Sequence, residues 1–321
     1  MTKNLKYFFI PLVLSLPFWW GFNIVERNLN DFFFWREMAE NPKVLAAQVN
    51  QLAFEQNLRE LKPLRNNEIP DLDIQAKSAI SVFFDSEGKG RILFEKASAQ
   101  QLPIASLTKL MTAKVVLENY DLSKEITVSK EAVEQEEDLG KLEAGKTFSV
   151  EYLLYPLLME SSNDAAFSLA NDYDGMTEEN FVGLMNSIAQ RLGLQNTRFF
   201  NSTGLDPKDE KSEEINYSSA LDLVFLTQSL SEEPLVWQIL STPKYDLYGP
   251  ELININKLLS NIPSIVGGKT GYTEKALSCF LLVSEAPKGK GRLVNVILGT
   301  ANDRFSEMEK LTNWVQEAYN W

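Results

Sequence analysis

The sequence predicts an α+β fold in which one antiparallel sheet is assembled from both ends of a domain, with flanking helices and an all-helical lobe inserted between those ends. Three observations carry this. Apolar residues alternate near residue 80 and again after residue 264, helical spacing fills the stretch between, and glycine-rich turns separate neighbouring strands.

Taken in order, Ile80, Val82 and Phe84 alternate within residues 78–85. The turn Ser86-Glu87-Gly88-Lys89-Gly90 then returns the chain as a second strand over 91–94. A helix over 107–118 opens at Ser106, and two more follow over 150–159 and 164–171. Amphipathic helices cover 178–192 and 218–229. Strands return at 264–270, 277–286 and 292–300, the last two joined by Pro287-Lys288-Gly289-Lys290-Gly291, and a helix over 303–319 closes the chain. Pro63, Asn66, Asn67 and Pro70 interrupt what precedes, so the folded domain is placed at 73–321.

Residues 7–24 carry no charge and follow Lys3 and Lys6. Such a stretch is just long enough to cross a hydrocarbon core of ~30 Å as a helix rising ~1.5 Å per residue. The lysines place the N-terminus on the cytoplasmic side and the remainder outside. A cleaved signal peptide needs small residues near its cut, whereas the exit here reads Pro17-Phe18-Trp19-Trp20-Gly21. The expectation is a single-pass cell-membrane anchor at 1–25 and a juxtamembrane stalk at 26–72. Within that stalk Leu45, Val49 and Leu52 have helical spacing.

Composition narrows the chemistry. Hydrophobic residues at 44% and charged residues at 23% suit an ordinary folded protein. A net charge of -13, from 44 acidic against 31 basic side chains with no basic stripe, excludes nucleic acid as a partner. The chain has no histidine, which removes Ser-His-Asp and Cys-His machinery and the histidine-containing zinc sites. Nothing in the pattern calls for a metal or other cofactor. Cys279 stands alone in the apolar run 277–283 and reads as a buried core thiol. A hydrolytic base here must be Lys, Asp, Glu or Tyr.

Three short patterns supply one. In Ser106-Leu107-Thr108-Lys109, residues three apart share a helix face, so the Lys109 amine can reach the Ser106 hydroxyl. Unpaired N–H groups at a helix start also suit an oxyanion. In Ser161-Ser162-Asn163 a serine could relay a proton and an asparagine hold an amide, or the triplet could simply cap a helix. In Lys269-Thr270-Gly271, preceded by Gly267-Gly268, small residues let a peptide backbone lie along the strand, with a cation and hydroxyl ready for a carboxylate. A surface turn would explain that pattern equally well on its own.

Together the three form the set shared by β-lactamases and penicillin-binding proteins. The longer segments Pro103-Ile104-Ala105-Ser106-Leu107-Thr108-Lys109-Leu110-Met111-Thr112-Ala113, Glu160-Ser161-Ser162-Asn163-Asp164-Ala165-Ala166, Asn201-Ser202-Thr203-Gly204-Leu205 and Gly268-Lys269-Thr270-Gly271-Tyr272-Thr273 are more specific. Over about residues 79–314 the sequence resembles the D-alanyl-D-alanine carboxypeptidases, low-molecular-weight penicillin-binding proteins of the S11 serine peptidase type.

The resemblance implies a β-lactamase/transpeptidase-like fold and trimming of the terminal D-Ala-D-Ala of peptidoglycan stem peptides, with β-lactams as covalent inhibitors. It makes Ser106 the acylated nucleophile, Lys109 its base and Ser161 the relay to the leaving amine. Asn163 would bind the peptide, Lys269 and Thr270 the terminal carboxylate, and Gly271 would leave room along the strand. The N–H groups of Ser106 and Tyr272 would form an oxyanion hole, a device worth ~3–4 kcal/mol per donor. Arg304 would assist carboxylate binding. A free lysine titrates near ~10.4, so a base at neutral pH must be held ~3 pH units lower, at a cost of ~4 kcal/mol. Burial and a neighbouring cation, Lys269, both push that way.

Two departures accompany the resemblance. Many relatives continue into a β-rich domain and a C-terminal amphipathic anchor, whereas this sequence ends at Trp321, so the N-terminal span is expected to do the anchoring. Ser162 stands where relatives often carry Gly or Ala and is expected to narrow the cleft slightly. The competing activities are D,D-endopeptidase action on cross-links, β-lactamase action, and a non-catalytic penicillin sensor. A class A β-lactamase needs a deacylating glutamate, which no motif here supplies. A sensor needs a cytoplasmic output module, for which the few residues before the span leave no room.

Overall fold

Alternation decides the sheet. In β1 (Ser78–Asp85) Ile80, Val82 and Phe84 join one hydrophobic core while Ala79 and Phe83 join another, so the strand is buried on both faces. The computed structural model describes residues 63–136, 142–209, 211–246 and 251–321. β2 (Gly90–Lys96) pairs with β1 across the expected hairpin. β3 (Ile265–Thr273), β4 (Leu277–Glu285) and β5 (Gly291–Thr300) complete an antiparallel sheet of order β3-β4-β5-β1-β2. The β5–β1 pairing, running from Gly291↔Asp85 to Leu298↔Ser78, joins the two ends of the domain. β3 lies at the sheet's edge.

The helical lobe covers one face. Its centre is α1 (Thr108–Asn119), buried at every position from Thr108 to Val116, polar Thr108, Lys109, Thr112 and Lys114 included, so that it is enclosed around its circumference rather than along one stripe. Around it lie α2 (Val150–Tyr155), α3 (Asn163–Asn171), α4 (Glu178–Arg191), α5 (Ala220–Ser229) and α6 (Pro234–Ser241). Side-chain oxygens of Ser149, Ser162, Thr177 and Ser219 cap the first four of these, each accepting an early backbone N–H. On the opposite face α7 (Arg304–Ala318) packs Met308, Leu311 and Val315 against Phe83, Leu293 and Ile297.

Three expectations are corrected. The helix expected over 150–159 ends at Tyr155 and continues as a π-helix, Pro156–Glu160. Pro156 has no N–H to give the preceding turn, so the backbone widens there. The short helix α6 was not foreseen; it starts with Pro at its first turn and is only eight residues long. The packed unit also reaches further back than Asp73. Leu64–Arg65 pairs with Tyr319–Asn320, Arg65 stacks on Trp314, and the Trp314 indole donates to Pro70 O at 2.7 Å. The prolines and asparagines there end regular structure without ending packing.

The expected anchor at 7–24 and the stalk helix near Leu45, Val49 and Leu52 fall outside the described residues. Among the described residues no helix is long and apolar enough to cross a membrane.

Cys279 lies in β4 with no exposed surface, and burial pushes its thiol up to about 11. Iodoacetamide at pH 8 is therefore expected to leave the native protein unmodified and to alkylate Cys279 once the chain is unfolded in urea. Rapid labelling of the folded protein would contradict this packing.

Candidate active site

Ser106 sits in a 3-10 turn, Ala105–Leu107, that leads into α1. Two glycines let other segments close on this turn. A Cβ at Gly204 (φ +86°) would come within 2.2 Å of Ala105 O, and one at Gly271 within 3.1 Å of Ser106 N. Only a bare backbone fits at either place. Ala105 itself takes φ 46°, a left-handed conformation that costs an alanine roughly 1–2 kcal/mol.

One helical turn on, Lys109 points back along α1 with no exposed surface. Its Nζ donates to Ser106 Oγ at 3.0 Å, Asn163 Oδ1 at 2.7 Å and Thr203 O at 2.6 Å. All three of these acceptors are neutral oxygens.

The π-helix delivers the second hydroxyl. Its widened turn ends with Ser161 in the left-handed region (φ 66°). Ser161 Oγ there accepts from Lys269 Nζ at 2.7 Å, and the same ammonium reaches Thr270 O at 3.0 Å. Lys269 is 1% exposed. Burial, then repulsion from Lys109 and from Arg304, holds its amine well below the ordinary lysine value. Asn163, at the start of α3, spans two partners: its Oδ1 accepts from Lys109 and its Nδ2 donates to Glu136 O at 2.7 Å. Ser162 does not narrow the cleft as expected. It is fully buried, and its Oγ caps α3 by accepting from Ala165 N at 3.1 Å.

Above these groups opens a cleft of about 300 Å³, bordered by Ser106, Ser161, Asn163, Thr270, Gly271 and Tyr272. Arg304 also borders it: its Nη1 donates to Gly271 O at 2.7 Å, and its guanidinium lies 5.9 Å from the Tyr272 ring. Lys109 and Lys269 lie beneath the floor. The structure therefore brings all nine residues singled out from the sequence to one place. A second cavity, of about 370 Å³, lies against Trp237 near the β1–β2 and β4–β5 turns and holds none of them.

Sequence reasoning assigned no role to Thr203, although its segment was noticed, because a backbone carbonyl leaves no side-chain signature. Glu136 was missed for the same reason. Ile255, Lys257 and Phe305 also line the cleft and belong to no short pattern.

With a mixed sheet-and-helix architecture and paired Ser–Lys contacts at one cleft, the fold is that of the penicillin-binding DD-peptidases. It superimposes on the Streptomyces K15 DD-transpeptidase with a TM-score of 0.69 at 27% identity, covering 77% of this chain and 99% of that one. The chain belongs to the Peptidase S11 family, D-alanyl-D-alanine carboxypeptidase, whose pattern matches residues 65–302. It is 33% identical over 263 residues to the D-alanyl-D-alanine carboxypeptidase DacF of Bacillus subtilis, spanning 78% of this chain and 64% of that protein's length. To a D-alanyl-D-alanine endopeptidase of Pseudomonas aeruginosa it is 31% identical over 246 residues, 74% of this chain and 76% of the relative.

The depressed Lys269 has a measurable consequence. Between its lowered native pKa and the unfolded value of ~10.4, the unfolded chain binds more protons than the native one, so this group's contribution to stability rises with pH. Urea-unfolding free energies of the wild type are expected to gain on those of Lys269→Met between pH 7 and 10, by at most ~1.4 kcal/mol per pH unit. Parallel curves for the two proteins would show that Lys269 is not perturbed.

Proposed function

We propose that this chain is a serine-type D-Ala-D-Ala carboxypeptidase acting on peptidoglycan stem peptides through an ester on Ser106. The observation that carries the reading is the Lys109 Nζ to Ser106 Oγ contact of 3.0 Å, made by a fully buried lysine to a serine that faces the cleft, with the Ser161–Lys269 pair beside it. Repulsion between the two lysines is mutual, so the pair resists carrying two positive charges at once. That favours an uncharged amine facing one serine.

In this scheme Ser106 Oγ attacks the carbonyl of the penultimate D-alanine and its proton passes to Lys109. The tetrahedral oxyanion is met by backbone N–H groups of Ser106 and Tyr272, where the edge strand closes on the serine turn. Collapse breaks the amide bond, and the leaving amine takes a proton through Ser161 from the lysine pair. Thr270 and Arg304 at the cleft wall hold the departing residue's carboxylate with the buried Lys269 behind Thr270, Asn163 holds the peptide, and water then hydrolyses the ester. A β-lactam acylates the same hydroxyl but has no separate leaving group to vacate the cleft.

The same reading tethers the domain to the outer face of the cell membrane through residues 7–24, supported by their lack of charge and by Lys3 and Lys6. Penicillin-labelled full-length protein is expected in the membrane fraction, and protein lacking residues 1–25 in the soluble fraction. Identical partition of the two would remove the anchor from the proposal.

Mass spectrometry after incubation with a labelled penicillin is expected to place one adduct on Ser106, absent in Ser106→Ala. Release of D-alanine from diacetyl-Lys-D-Ala-D-Ala is expected to fall about 10²- to 10⁴-fold in Lys109→Ala, the range for removing a general base. An adduct elsewhere, or full activity without Lys109, would overturn the assignment.

A further inference from the structure

Residues 201–206 meet the machinery of the site at two places. At one, Thr203 O accepts from Lys109 Nζ at 2.6 Å. At the other lies Asp206, a carboxylate that takes no part in the acylation scheme. One of its oxygens accepts from Thr273 Oγ1 at 3.0 Å and the other from Lys275 N at 3.1 Å. Thr273 follows Tyr272 directly and is the last residue of the edge strand β3. It is buried, and its hydroxyl accepts from Ala276 N at 3.1 Å. Asp206 thus grips both the strand's final residue and the turn that leads into β4.

Between these two contacts the segment is tied to itself. Asn201 Oδ1 accepts from Gly204 N at 2.7 Å and Thr203 Oγ1 at 3.2 Å, and Asn201 Nδ2 donates to Leu205 O at 3.1 Å. Leu205 N donates to Thr203 Oγ1 at 3.2 Å, and Gly204 packs on Ala105 O, next to Ser106. A short, internally bonded piece of chain therefore runs from the lysine-bearing helix to the end of the edge strand. That strand has a use for it. β3 is paired on one side alone, with β4. In the proposed reaction the oxyanion sits between Ser106 N and Tyr272 N, which lie on opposite sides of the contact where Gly271 meets the serine turn. A small shift of the strand's end would open the hole without emptying the cleft.

We infer that Asp206 is the positioning residue of the oxyanion hole. It fixes the end of β3, and with it the Tyr272 N–H, against the segment that presents Thr203 O to Lys109. One brace then sets both needs of acylation, an amine facing Ser106 and a donor pair facing the oxyanion. A carboxylate suits the task, because its two oxygens accept a hydroxyl and a backbone N–H side by side. The inference rests on the peptidase reading of Ser106 and deepens it, with Asp206 acting through Thr273 and not on the substrate.

The test separates tetrahedral from trigonal ligands in Asp206→Ala and Thr273→Val. The tetrahedral probe is the boronic acid analogue of N-acetyl-D-alanine. Ser106 Oγ adds to its boron, the hydroxyl proton passes to Lys109, and one boron hydroxyl of the anionic adduct occupies the oxyanion site. The trigonal probe is diacetyl-Lys-D-Ala-D-Ala, bound to the same variants carrying Ser106→Ala so that it stays intact. In Asp206→Ala, kcat/KM for D-alanine release and boronate affinity should fall together, about 10- to 100-fold, while the peptide Kd moves less than about twofold, as a small misplacement beside the reacting atoms predicts. Thr273→Ser, which keeps the hydroxyl, should lose far less than Thr273→Val. The Asp206→Ala/Thr273→Val double variant should be no worse than the worse single one, because the two residues share one interaction. Should Asp206→Ala fail to fold, Thr273→Val carries the same comparison. Peptide and boronate weakened equally, or kcat/KM unchanged in both variants, would overturn the brace while leaving the Ser106 peptidase standing. A wild type that neither binds the boronate nor releases D-alanine would overturn both.

Discussion

Two lysines lie buried close enough to repel one another, and the rest of the domain is organised around keeping them there. Burying a single ammonium costs several kcal/mol, and a second beside it adds repulsion to desolvation. Each amine is stabilised by neutral oxygens, Lys109 by Ser106, Asn163 and Thr203 and Lys269 by Ser161 and Thr270. Those oxygens come from the 3-10 turn ahead of α1, the junction of the π-helix with α3, the 201–205 segment and the edge strand. No one segment could supply them. The arrangement holds only while four chain segments keep register, which explains a central helix buried around its circumference and a sheet stitched across both ends of the domain.

Local strain is concentrated beside the reacting groups. Ala105 and Ser161 both adopt left-handed backbone, and Gly204 and Gly271 let the chain close where no side chain would fit. A polar clamp counters this. Asn216, 1% exposed, donates to Thr108 Oγ1 at 3.0 Å and Asn201 O at 2.8 Å, and accepts from Phe200 N at 2.6 Å. It binds the segment that presents Thr203 O to the start of α1. A buried side chain with its donors and acceptors this fully used resists displacement better than packing alone.

Much of this was legible in the sequence because it rests on periodicity and side-chain chemistry. The alternation of Ile80, Val82 and Phe84 defined a strand whose bounds coincide with β1, and the absence of histidine directed attention to Lys109. What escaped was written in the backbone. Thr203 and Glu136 act through carbonyls, which any residue carries. The π-helix could have been suspected from Pro156, yet proline alone does not say whether a helix breaks, kinks or widens. Ser162 was misjudged because cleft lining and helix capping draw on the same residue type, and only its orientation separates them. Lys257 sits on a turn with no periodicity to mark it.

The pairing of Leu64–Arg65 with Tyr319–Asn320 has a mechanical consequence. It fastens the start of the described domain to the far end of α7, a rod of 15 residues and so ~22 Å long. The near end of that rod carries Arg304 and Phe305 into the cleft wall. Tension on the chain ahead of Leu64 is therefore borne by the element that shapes the cleft, along a route that bypasses the hydrogen bonds of the central strands.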